Sequence, residues 1–254
     1  PADSSISFDD VTFTYDGAAR PALMNIRFHL PQGAAYALVG PSGGGKSTIA
    51  RLIPRFFDVQ EGAVLVGGQD VRSIPAAELM EQISFVFQEV HLFKKSIRDN
   101  IRAARPNATE EEILHAAHLA QCGDILEKIP GGLDAVIGAK GVYLSGGEMQ
   151  RIALARAILK DAPIVVLDEA SSFADPENEV KIQKAFEALM KGKTVLMIAH
   201  RLSTVRRMDR ILVIKKGVVV EEGKHDELIE KGGVYASMWE EYQSAAQWKV
   251  GGEE

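Results

Sequence analysis

Apolar and polar positions alternate from the beginning of the chain. Ile6 and Phe8 hold one frame, Val11, Phe13 and Tyr15 a shifted one, and Met24, Ile26, Phe28 and Leu30 alternate again before the turn Pro31-Gln32-Gly33. A period of two is that of strands with one buried face. The pattern then changes: Ala34 to Gly40, AAYALVG, is a continuous small and apolar run, as a strand covered on both faces requires, and it leads through a glycine-rich loop into the helix start TIARLI. Glu61 to Val71 predicts a hairpin turning at Gly67-Gly68. From about Glu89 to Lys160 strand signals vanish. Thr109 and Glu112 form a capping-box pattern, with Ile113, Ala116, Ala117 and Ala120 following at helical spacing, so a helical insert is expected at approximately 89–160. Strands resume at Ile164 to Leu167 and Val195 to Ala199, and a last hairpin turns at Lys216-Gly217. A helical tail is expected after Gly232, with disorder at the terminal GGEE.

With 254 residues, 46% of them hydrophobic, the chain can bury a full core as one large domain or one domain with an inserted subdomain. Its 29 basic and 35 acidic side chains leave a net charge of -6, which gives no electrostatic footprint for nucleic acid or an anionic membrane surface. Cys122, the single cysteine, excludes an internal disulfide and fits a reducing compartment. No apolar run approaches the roughly 18 residues of a membrane span, and PADSSISF has no signal-peptide pattern, so the chain is expected to be soluble. Its start at Pro1 rather than methionine is read as a processed chain or a piece of a longer one.

Two segments are built to hold phosphate. GPSGGGKST fits G-x-x-x-x-G-K-[ST] with Gly40, Gly45, Lys46 and Ser47; Ser42, Gly43, Gly44 and Thr48 complete the loop. Its glycines let backbone N–H groups close around phosphates, helped by the positive end of the helix that follows. Lys46 is positioned to reach the β- and γ-phosphates, and Ser47 to offer its hydroxyl to Mg²⁺. IVVLDEA, Ile164 to Ala170, sets Asp168 and Glu169 at the carboxyl end of a buried strand, where open α/β sheets bind ligands. Asp168 suits a hydrated Mg²⁺; Glu169 suits a water to be oriented or deprotonated. His200, at the end of the Val195 strand, is a γ-phosphate contact by the same placement. The second grip is LSGGEMQR, Leu144 to Arg151, a serine and two glycines at a helix start.

Gly40 to Thr48, Gln88, Leu144 to Glu148, Ile164 to Glu169, Asp175 and His200 together resemble, in order and spacing, the ATP-binding domain of ATP-binding cassette (ABC) transporters, over essentially the whole chain. The resemblance implies an α/β fold. It has a P-loop NTPase core of mostly parallel sheet with helices on both faces, an N-terminal antiparallel β subdomain and an inserted α-helical subdomain. All form one nucleotide-binding domain over 1–254, with a C-terminal tail from about 233 to 254. It implies ATP and Mg²⁺ as ligands, and a head-to-tail dimer in which Ser145, Gly146 and Gly147 bind the γ-phosphate of the facing subunit's ATP and Asp175 reaches across the interface. That pairing answers why one chain carries two phosphate grips. Tyr15 matches the aromatic residue that stacks on adenine, and Gln88 the glutamine that contacts Mg²⁺ and links the site to the helical insert.

FKKSIRDNIR is similar to exporter-type cassettes fused behind a membrane domain, which implies a transmembrane partner and, in a full-length protein, the cytoplasmic face of an inner or plasma membrane. The chain departs from the family pattern at three places. Glu148 stands where glutamine is commoner, adding charge near a phosphate while leaving the Ser-Gly-Gly grip unchanged. Val136 stands where many exporter cassettes have a glutamate that contacts the partner's membrane domain. SSFADPENE replaces the commoner S-A-L-D form and resembles cassettes that handle metal-siderophore cargo. Soluble DNA-repair and chromosome-organising ATPases share both grips, but with a very long coiled coil between them; the compact insert and acidic charge here point away from a nucleic-acid partner. The Asp168-Glu169 pair points to hydrolysis rather than to a switch that only binds ATP.

Overall fold

The computed structural model describes residues 1–138, 142–169 and 176–250. In chain order its strands are β1 (Ile6–Phe13), β2 (Leu23–Leu30), β3 (Ala35–Val39), β4 (Glu61–Val66), β5 (Gln69–Asp70), β6 (Ile83–Val86), β7 (Ile164–Asp168), β8 (Thr194–Ile198), β9 (Arg210–Lys215) and β10 (Val218–Gly223). The helices are α1 (Lys46–Leu52), α2 (Ala76–Glu81), α3 (Ile97–Arg102), α4 (Glu110–Leu119), α5 (Gly123–Lys128), α6 (Gly146–Lys160), α7 (Pro176–Met190), α8 (Leu202–Val205), α9 (His225–Lys231) and α10 (Val234–Val250). The chain divides into two compact units, one made of Pro1–Met80 with Thr194–Glu254, the other of Glu81–Lys193.

In the first unit an antiparallel sheet runs in the order β2-β1-β4-β5. The two frames of alternation at its start belong to one strand. Asp10 has φ 47, the register with both neighbours shifts there, and the bulge brings Val11 and Phe13 onto the buried face that Ile6 and Phe8 already share. A second irregularity, Asn25 at φ 48, buries Leu23 and leaves Met24 exposed, which corrects the alternation expected through Met24. The same unit holds the strand order β10-β9-β3-β8, in which β3 is parallel to both β8 and β9 and β9-β10 is the expected hairpin turning at Lys216-Gly217. Residues of β8 are buried throughout, and those of β3 from Tyr36 on, as the continuous apolar runs require.

The second unit contains the parallel pair β6-β7 and helices α3 to α7. It extends beyond the helical insert expected at 89–160, because β6, only four residues with a buried Ser84, and α7 belong to it. The Thr109–Glu112 capping box is present and opens α4. Together the antiparallel sheet, the mostly parallel strands and the helices give the mixed α/β architecture that the resemblance implies. The expected C-terminal helix is α10; its first turn is fixed by Glu221, whose carboxylate accepts from Val234 N (2.6 Å) and Tyr235 N (3.1 Å). Among the described residues no helix is long and apolar enough to cross a membrane.

Candidate functional site

Strand β3 delivers the chain into the phosphate loop. Gly40 adopts φ 141, and a Cβ there would lie 2.0 Å from the Ile214 carbonyl oxygen, so only glycine lets the loop leave β3 against β9. Gly45, at φ 109, caps α1 in the left-handed conformation and would otherwise meet Leu23 at 2.7 Å. Lys46 is buried, and its ammonium donates to the Gly40 carbonyl across the loop. Lys46, Ser47 and Thr48 open α1, where backbone N–H groups have no helical acceptor and the dipole favours an anion.

Register puts His200 beside this loop. In the parallel pair β3-β8, Leu38 lies opposite Ile198, and Ala199 N donates to Leu38 O at 3.0 Å. Gly40 and His200 each follow two residues beyond that pair, so both emerge at the same end of neighbouring strands. His200 is exposed. Tyr15 is held on the other flank: its hydroxyl shares a 2.7 Å hydrogen bond with the Thr48 hydroxyl, and its ring stands edge-on to Phe13 and Phe57. The ring is thereby tied to the first turn of α1, a link the spacing of the sequence does not reveal.

The second unit repeats the device. Val86 of β6 lies opposite Leu167 of β7, and Gln88 and Glu169 again follow two residues beyond, side by side at the carboxyl ends of parallel strands. Glu169 is 2% exposed, and Gln183 of α7 donates to its Oε1 at 3.5 Å. Gln88 is exposed and Asp168 partly so. Asp175 lies outside the described residues. Ser47, Gln88 and Asp168 are oxygen donors, the chemistry that suits Mg²⁺.

Ser145 is the N-cap of α6, fifteen residues long, with φ −66 and ψ 164. Its hydroxyl oxygen accepts from Glu148 N at 3.2 Å, while the Glu148 carboxylate accepts from Ser145 N at 3.0 Å. Glu148 is therefore the reciprocal half of a capping box, with the same spacing as Thr109–Glu112, and not only a charge near a phosphate. Accepting a bond leaves the Ser145 hydroxyl hydrogen to donate to an anion, beside the helix-start amides of Gly146 and Gly147.

Deeper in α6 the Arg151 side chain is 1% exposed. It donates from Nη1 to Gln121 O (2.5 Å) and Asp124 Oδ1 (2.6 Å), and from Nη2 to Asp124 Oδ2 (3.2 Å) and Asn178 Oδ1 (2.7 Å). Lys181 adds a 3.1 Å contact to Asp124. Burial alone would raise the Asp124 carboxyl, but the hydrogen bonds from Arg151 and Lys181 outweigh it and hold it at about 2. The folded value lies below the ordinary one of 3.8, so the ionised carboxylate stabilises the fold above pH 4 or so, and that contribution is lost as pH falls towards 2. Urea midpoints of the wild-type chain should accordingly fall more steeply between pH 5 and 2 than those of Asp124→Asn; parallel pH profiles would refute the linkage. Burial pushes the Cys122 thiol up to about 12, so it stays protonated at neutral pH.

The profile of the ABC transporter family matches residues 23–172. The chain is 50% identical over 234 residues to the ATP-dependent lipid A-core flippase of Sodalis glossinidius (strain morsitans), covering 92% of this chain and 40% of that protein. It is likewise 50% identical over 238 residues to the flippase of the same name from Escherichia coli (strain K12), covering 93% of this chain and 41% of that protein. Among solved structures it is similar to a bacterial Atm1-family ABC exporter with ATP bound, with TM-score 0.87 and 40% identity, over 94% of this chain and 42% of the exporter chain. The chain thus spans about 40% of the length of the relatives it matches.

Proposed function

From the premise that this chain belongs to the ABC transporter family and forms its nucleotide-binding domain, we propose that it binds and hydrolyses ATP and closes head to tail on a second such domain, driving transport through membrane helices in a longer protein. The observation that carries the reading is the second grip. A serine N-cap and two glycine amides open the fifteen-residue α6, in a chain that already has a glycine-rich phosphate-type loop before α1.

In this reading the backbone amides from Ser42 to Thr48 cradle the phosphates, Lys46 leaves the Gly40 carbonyl for the β- and γ-phosphates, and His200 contacts the γ-phosphate from the adjacent strand end. Ser47, Gln88 and Asp168 would hold Mg²⁺, which would supply neutralisation of charge on the phosphates. Glu169 orients the attacking water and accepts its proton, with Gln183 holding the carboxylate. Ser145, Gly146 and Gly147 donate to the nucleotide of the facing domain, and Asp175 approaches it across the interface. Hydrolysis removes the γ-phosphate that joins the two domains, and the dimer reopens. The fused membrane helices are proposed from the flippase and exporter relatives, of whose length this chain spans about 40%; the partner domain and a place at the cytoplasmic face of a membrane are proposed from the family resemblance and the second grip.

Phosphate release from Mg²⁺-ATP by the purified chain tests the proposal. Turnover that rises more than linearly with chain concentration is expected, because each site needs two copies; no phosphate release at any concentration would reject it. The adenine platform has its own test. Tyr15→Ala should weaken nucleotide binding by at most about tenfold, the scale of one aromatic stack, with melting little changed. Tyr15→Phe, which keeps the ring and loses only the Thr48 bond, should retain most of the affinity. Equal affinities in a nucleotide titration of wild type and Tyr15→Ala would remove Tyr15 from the site.

A further inference from the structure

Gly147 has a neighbour of its own inside the chain. A Cβ on Gly147 would lie 3.1 Å from Asn178 Cγ, 3.2 Å from its Cβ and 3.3 Å from its Nδ2, so a side chain there forces one partner to give by a few tenths of an ångström. Asn178 is badly placed to give. Its Oδ1 accepts from Arg151 Nη2 at 2.7 Å, and the same buried guanidinium is fixed by both Asp124 carboxylate oxygens and the Gln121 carbonyl. Gly147 and Arg151 are four residues apart and share a face of α6; Asn178 and Lys181, three apart, share a face of α7, and Lys181 closes on Asp124. The first turn of α7 therefore grips the first turns of α6 at two points, a tight contact at Gly147 and a hydrogen bond to Arg151.

We propose that Asn178 is a positioning residue for the Ser145-Gly146-Gly147 grip. It fixes where the amides at the start of α6 stand, and it ties them to α7, whose Gln183 holds Glu169. In this account the absent side chain at Gly147 serves the helix contact as well as the ligand. Asparagine fits because its amide oxygen satisfies Arg151 without placing another carboxylate beside an anion-binding helix start. The inference rests on the reading of this segment as a grip on a second copy's ATP.

The test is a double-mutant cycle with Gly147→Ala and Asn178→Ala in the full chain. It is read in three ways: ATP-dependent dimerisation by light scattering, kcat and KM for ATP, and nucleotide affinity of the chain's own loop at low protein concentration. Gly147→Ala should raise the ATP concentration for half-maximal dimerisation, and its penalty should shrink at least about threefold in the Asn178→Ala background. Asn178→Asp, which keeps both the crowding atoms and the Arg151 acceptor, should give no such relief. Asn178→Ala alone should weaken dimerisation and kcat while leaving loop affinity unchanged, and this measurement stands even if Gly147→Ala fails to fold. An undiminished Gly147→Ala penalty in the Asn178→Ala background, or unchanged dimerisation in Asn178→Ala, would overturn the assignment. A wild-type chain that neither dimerises with ATP nor hydrolyses it would instead sink the functional reading on which the proposal stands.

Discussion

Glu169→Gln is expected to lower ATP turnover by about 10²- to 10⁴-fold, the range supplied by a positioned general base, while ATP binding survives. Glutamine preserves the size and one acceptor oxygen of Glu169, so the 3.5 Å contact from Gln183 and the packing of this 2% exposed side chain can persist. What is lost is the carboxylate that takes a proton from water. Phosphate release at saturating Mg²⁺-ATP, run beside a nucleotide titration, separates the two effects. Turnover within a few fold of wild type would remove Glu169 from the chemistry, and loss of binding in parallel with turnover would make it a structural residue.

Lys46→Ala is expected to act earlier, on binding itself. The Lys46 ammonium is buried and held to the Gly40 carbonyl, so it is already aimed along the loop before any phosphate arrives. A hydrogen bond involving a charged group is worth about 1.5 to 3 kcal/mol, so removing it should weaken ATP binding about 10- to 100-fold. Turnover at fixed ATP should fall at least as far. Lys46→Arg should restore little, because a planar guanidinium cannot replace a compact ammonium in a loop whose backbone sits directly on β9 through Gly40. The titration decides: wild-type affinity in Lys46→Ala would contradict the phosphate-loop assignment, and affinity restored by arginine would show that charge alone is needed.

These two positions stand out in the sequence because the chemistry proposed for them is local. A glycine loop between an apolar strand and a helix start, and an acid pair ending an apolar strand, are contiguous strings whose physical meaning does not depend on the rest of the fold. Register then did what spacing could not: Leu38 opposite Ile198 and Val86 opposite Leu167 place His200 beside the loop and Gln88 beside Glu169. Asn178 and Gln183 were invisible beforehand because their partners, Arg151 and Glu169, lie 27 and 14 residues away and meet them only through helix packing. Glu148 is a different case, since its capping-box spacing to Ser145 is visible in the sequence itself. In the fold, backbone at positive φ defeated simple alternation. Asp10 and Asn25 shift the frame of β1 and β2, so Leu23 rather than Met24 enters the core. Strand β6 escaped because four residues with a buried serine carry too little periodicity to register.

The head-to-tail closure around ATP is tested most directly by the mass of Glu169→Gln in solution, measured by light scattering over a range of chain concentrations with Mg²⁺-ATP and without nucleotide. An ATP-dependent dimer that disappears when Ser145 or Gly147 is also changed is the expected result, and it would show that the second grip holds the nucleotide of another copy. A chain that binds ATP tightly yet stays monomeric at every concentration, or a dimer indifferent to ATP and to Ser145, would contradict it.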